Sequence, residues 1–159
     1  MRAFLFAASL LLSSPLFAAD KDRIVGTWNL VSVVYEDAQT KERTPVLWDH
    51  PRGYQIATPE GRWIALVTAD DRPVPKTDEE RAKALRTMTA SSGRYRVEDG
   101  KVITKVEVAW NEAWVGGEQI RFLRFDDDDL LHIESPPMPH SNVNDKMVRV
   151  IVTWQRDKS

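Results

Sequence analysis

A chain of 159 residues, 42% of them hydrophobic and 29% charged, is long enough to bury one core and too short for two. A formal net charge of -2 without any cluster of lysine and arginine argues against nucleic acid or an anionic membrane surface as the partner. The chain has no cysteine, which excludes disulfides, thiol catalysis, thiolate metal sites and lipid attachment through a cysteine.

The first segment reads as a leader. Met1 and Arg2 make a short basic start, residues 3–12 form an apolar run, and small residues follow around Ala18 and Ala19. This is the pattern of a secretory signal peptide over residues 1–18, and the apolar run is about half the roughly 20 residues of a membrane-spanning helix. Its removal takes away Arg2, moving the net charge from -2 to -3. The expected setting is the periplasm or the extracellular medium, with no stable membrane insertion once the leader is cleaved.

The rest, residues 24–157, reads as a single domain. "IVGTWNLVSVVYED" is rich in β-branched and aromatic residues, and alternation puts Trp28, Leu30, Ser32 and Val34 on one face of a strand. "RGYQIATPEGRWIALVTA" holds two strands split by Thr58-Pro59-Glu60-Gly61, a hairpin signal. After prolines, Thr77 or Asp78 offers an N-cap for one short helix, with Ala82, Leu85 and Met88 spaced as an apolar stripe. Strands then return in "GRYRVED", "KVITKVEVAW", "EQIRFLRF", "LLHIES" and "DKMVRVIVTWQR". They are separated by Asp99-Gly100, a bend from Asn111 to Gly117, the aspartates 126–129 and a proline-rich loop. About eight strands joined by short turns predict an all-β, antiparallel up-and-down barrel.

The ordered series "IVGTWNLVSV", "GYQIATPEGRW", "SSGRYRVEDGKV", "EAWVGGEQIRF" and "VIVTWQR" resembles the bacterial and fungal lipocalin-like domain family over Ile24 to Arg156. The resemblance implies an eight-stranded barrel with an internal cavity. It also implies that Trp28 is the floor tryptophan of lipocalins, stacked on an arginine near the end of the last strand, here Arg156. Independently of the resemblance, Gly26 permits a tight backbone bend where the chain enters the barrel, and Trp28 is large enough to plug it. Where many members of the family carry tyrosines and a histidine, this chain has Thr89, Ala90 and Ser91, and Thr104 and Lys105. That departure points to a different ligand or chemistry.

Candidate ligand-binding residues are mostly aromatic. Tyr54, Trp63 and Tyr95 share strand faces with Ile56, Ala65 and Val97, an arrangement that fits a lined cavity or an ordinary packed core. Trp110 and Trp114 flank a bend and fit a rim, and Phe122 completes the set. His132 shares a face with Leu130 and Glu134, where it serves either as a pocket acid or base or as a structural histidine. Parity does not tell which face of a strand is the lumen. Arg121, Arg124 and Arg149 need no explanation outside the barrel, the favoured placement, whereas an arginine inside has to be paired or to hold the polar end of a ligand. His50 and His140 lack metal-ligand spacing, the aspartate run lacks the spaced ligands of a calcium loop, and no nucleophile, phosphate or dinucleotide motif occurs. No metal, cofactor or catalytic residue is assigned.

The leading expectation is therefore a non-enzymatic binder of a small, mostly apolar or aromatic molecule, with one polar end held by Arg121 or His132. An isomerase or cyclase using the cavity, and a structural or stress-related envelope protein with a filled barrel, remain open. The oligomeric state is open too.

Overall fold

The computed structural model describes residues 16–46, 50–140 and 143–159. Most of the expected leader, residues 1–15, lies outside them. Helix α1 (Leu16–Arg23) runs through the expected cleavage point into β1 (Gly26–Asp37). The strands that follow are β2 (Arg43–Pro45), β3 (Arg52–Ala57), β4 (Arg62–Thr68), β5 (Met88–Glu98), β6 (Lys101–Ala109), β7 (Glu118–Phe125), β8 (Leu130–Glu134), β9 (Met138–His140) and β10 (Lys146–Arg156). Helix α2 (Asp78–Arg86) connects β4 to β5, and a single 3₁₀ turn (Glu112–Trp114) connects β6 to β7.

Eight strands close into an antiparallel barrel in the order β1-β3-β4-β5-β6-β7-β8-β10, because β10 returns to pair with β1 from Trp28↔Arg156 to Asp37↔Val148. Two strands are additional to the eight expected. β2 and β9 are three-residue pieces laid on the outer ends of β1 and β10. Both contain a proline, which an edge position tolerates because one side of the strand needs no ladder hydrogen bond.

The expected face of β1 holds only for its first half. A bulge between Leu30 and Ser32 shifts the pairing with β10, so Trp28 and Leu30 are followed inward by Val33 and Tyr35 rather than by Ser32 and Val34. A second register shift lies opposite Ser92 and Gly93, where β6 gains a residue. A Cβ at Gly93 would collide with the backbone carbonyl oxygen of Lys105, so the strand can bend sharply there only without a side chain.

Helix α2 carries the expected N-cap. Thr77 Oγ1 accepts from the Glu80 amide while Glu80 Oε2 accepts from the Thr77 amide, a reciprocal capping box. The expected apolar stripe does not dock. No residue of α2 is buried, Leu85 is exposed, and Met88 already belongs to β5.

The floor is the densest part of the core. Trp28 is fully buried, and its Nε1 donates to the Ile24 carbonyl at 2.9 Å. The Arg156 guanidinium lies 4.2 Å from the Trp28 ring and donates to the carbonyls of Val25 (2.9 Å), Arg23 (2.6 Å) and Asp128 (2.9 Å). The Phe125 ring sits tilted at 6.3 Å from Trp28, and the Arg23 guanidinium covers Phe125 at 4.1 Å. The two cations and two rings thus close one end of the barrel, each cation–π contact contributing about 1 kcal/mol. Gly26 adopts φ +135°, and a Cβ there would lie 2.8 Å from Arg156 Nη1.

These two glycines give a graded expectation. Gly26→Ala meets positive φ and a flexible side-chain tip and should cost about 1–2 kcal/mol. Gly93→Ala meets fixed backbone and should cost more, about 3 kcal/mol. Equilibrium urea unfolding of the two variants checks the order, and a smaller loss for Gly93→Ala would contradict this account of the bend.

Candidate functional site

The register of the pairs fixes which side chains face the lumen. Leu131, Trp154, Val102 and Tyr95 join Trp28 in the buried core above the floor. The Tyr95 hydroxyl donates to the Thr58 carbonyl at 2.7 Å, tying β5 to the β3–β4 hairpin, and burial pushes its pKa up. Elsewhere on the inward face Trp63, Ala65, Ser91, Thr104, Gln119 and Arg121 are only half-buried. The barrel is therefore a cup with a sealed floor and an inner wall that solvent still reaches.

The wall is apolar with a few placed polar groups. Thr104 Oγ1 donates to the Gln119 carbonyl at 3.3 Å. Arg121 pairs across the ladder with the buried Val102 and shares the inward face of β7 with Gln119, Leu123 and Phe125, contrary to the outer placement favoured from sequence. Its Nη1 donates to the Ile120 carbonyl at 3.0 Å and its Nη2 to Gln119 Oε1 at 3.4 Å. Burial lowers its pKa from the usual arginine value. The indole NH groups of Trp63 and Trp154, at inward-facing positions, are buried without an acceptor among the described residues.

Three of the expected lining residues lie outside the lumen. Tyr54 is 58% exposed on the outer face of β3, paired with Leu66, because Gly53, Gln55 and Ala57 take the inner positions. The small inner residues leave room for Trp28, which stands opposite Gln55. Phe122 alternates with Arg121 and is therefore outside, where Lys101 Nζ sits 5.9 Å from its ring. His132 is also outside, between Arg124 and Thr153, with Nε2 2.9 Å from Asp126 Oδ2 and Nδ1 3.0 Å from Thr153 Oγ1. Since the carboxylate can only accept, Nε2 carries the hydrogen of that bond. Arg124 and Arg149 occupy the outer face as well, both paired with Glu134.

Trp110 and Trp114 stack edge to face at 6.0 Å around the 3₁₀ turn, at the end of the barrel opposite the floor. At the same end the Tyr35 hydroxyl lies 3.2 Å from the His140 ring nitrogens, and the two rings are 4.6 Å apart. The short strand β9, which carries His140, was legible in sequence only as a proline-rich loop. A cavity of ≈ 300 Å³ opens beside this pair among Asp37, Glu42, Thr44, Asn144 and Lys146. No group of three metal-ligating residues occurs among the described residues, and no helix among them is long and apolar enough to cross a membrane.

Residues 25–157 match the model of the lipocalin-like domain family. Among solved structures, a lipocalin-like protein from Bacteroides uniformis aligns with a TM-score of 0.48 at 13% identity, over 85% of this chain and 99% of that one. A redesigned β-barrel aligns with a TM-score of 0.43 at 10% identity, over 87% and 95% of the two chains. No curated protein matches.

The outer His132–Asp126 pair gives a pH expectation. The hydrogen bond from His132, then the charges of His132 and Arg124, hold the Asp126 carboxyl below its usual range. A carboxyl with a depressed folded pKa stabilises fully above its unfolded value, near about 4, and loses that contribution as pH falls through the folded value. Asp126→Asn should therefore lose less of its urea midpoint than the wild type between roughly pH 5 and 3. Parallel profiles would rule out a contribution from this pair.

Proposed function

The chain belongs to the lipocalin-like domain family, and from that membership we propose that it binds a small, mostly apolar or aromatic molecule inside the barrel. The observation that carries this reading is the contrast within one inner wall. Trp28, Leu131 and Trp154 are sealed at the floor, whereas Ala65, Ser91, Thr104 and Gln119 face inward and keep access to solvent. A barrel packed solid by its own side chains would bury the second set like the first.

The inner wall supports a carrier more than a catalyst. Proton transfer needs a base or acid within about 3 Å of a reacting atom. His132, expected near the pocket, is outside; at the mouth Asp37 accepts from the amides of Gln39 and Thr40, and the His140 ring is engaged by the Tyr35 hydroxyl. The leader pattern of residues 1–18 supports a periplasmic or extracellular setting for this carrier.

Blocking the cup separates lumenal from surface binding. A neutral fluorescent probe, N-phenyl-1-naphthylamine, is expected to bind saturably with enhanced emission. Ala65→Trp or Ser91→Phe, inside, should weaken it at least about ten-fold, while Ile64→Trp, on the outer face, should leave it unchanged. A titration that never saturates, or equal loss from the inner and outer variants, would remove the lumen as the site.

A further inference from the structure

We propose that the lumenal ligand carries a single carboxylate, and that the guanidinium of Arg121 holds it. This rests on the reading of the barrel as a binder and adds the chemical class of what it binds.

The arginines of the strands supply the contrast. Each of the others, from Arg43 on β2 to Arg156 on β10, has a carboxylate oxygen within 4.0 Å among the described residues. Those arginines lie on the outer face or at the floor. Arg121 is on the inner face, half-buried, and no carboxylate of the described residues reaches it.

Its existing partners leave it incomplete. A guanidinium carries five N–H donors. Two hydrogen bonds, to the Ile120 carbonyl and to Gln119 Oε1, hold it against β7, and its remaining donors have no acceptor among the described residues. A carboxylate matches that fork with two parallel hydrogen bonds, and one negative charge balances the one cation. The rest of the wall is consistent with an acceptor-bearing guest. The buried indole NH of Trp63 has no acceptor among the described residues, and Leu123, the next inward residue of β7, is apolar and half-buried. Thr89, Ser91 and Thr104 stand at inward positions of β5 and β6 as small hydroxyls, so no large side chain fills that part of the wall.

Equilibrium dialysis of the purified protein near pH 7.5 tests this with matched pairs: decanoate against decanamide, and 4-phenylbutanoate against its amide. The acid of each pair should bind at least about ten-fold more tightly than the amide. In Arg121→Met and Arg121→Gln the acid should fall to the level of the amide, with amide binding retained. The unliganded Arg121→Met protein should melt close to wild type, since a half-buried guanidinium without a counterion contributes little to stability. Equal binding of acid and amide by the wild type would overturn the carboxylate while leaving the lumen as a neutral-ligand site. An acid preference that survives in Arg121→Met would place the anion elsewhere. Marked destabilisation of that variant would make Arg121 a structural residue. Failure of all four compounds to bind, with the neutral fluorescent probe also silent, would instead bring down the underlying reading.

Discussion

Everything in this molecule depends on the last strand meeting the first. β1 and β10 are separated by almost the whole chain, and their pairing is what turns an open meander into a barrel whose only edges, among the described residues, are the three-residue strands β2 and β9. The stack of Arg156 on Trp28 lies at one end of that seam, and the register itself makes the two residues direct partners. Arg156 also ties down the backbone of residues 23–25, so the entry of the chain, the floor and the seam are fixed by a single guanidinium. With the seam fixed, the inward parity of each neighbouring strand follows, and with it the identity of the lumenal wall.

The floor and the turns were the most legible parts of the sequence. Thr58–Gly61, Asp99-Gly100 and the aspartates 126–129 all lie at turns between paired strands, and Asp99 and Gly100 both take the positive φ that a two-residue hairpin demands. The aspartates look like a cation loop by composition, but Asp127 spends Oδ1 on the amide of Asp129 and Arg23 binds the turn from below. Short-range chemistry of this kind is written in two to four consecutive residues. The capping box of α2 belongs to the same class.

The wall was less legible, because alternation gives two faces and does not say which is inside. In β3 the bulky apolar residues Tyr54 and Ile56 are outside and Gln55 is inside, the reverse of a hydrophobic-in pattern. The reason is volume: Trp28 occupies the space opposite Gln55. In β7 the same ambiguity hid Arg121 on the inner face, since Ile120 and Phe122 are as apolar as Leu123 and Phe125. The bulge after Leu30 inverted the second half of β1. Bulges are set by pairing with a strand far along the chain, so a single strand cannot announce them.

The local closure of α2 has a consequence for how the molecule moves. The helix is held by its capping box, by Arg72 Nη2 on the Ala84 carbonyl and by the pairing of Ala69 with Thr87, and it contributes nothing to the core. Its opening free energy is thus set by a handful of local hydrogen bonds, while that of the strands is set by the whole barrel. Opening of the segment between β4 and β5 is therefore decoupled from global unfolding. Helix α2 can thus open as a small unit of its own while the paired strands keep their native protection.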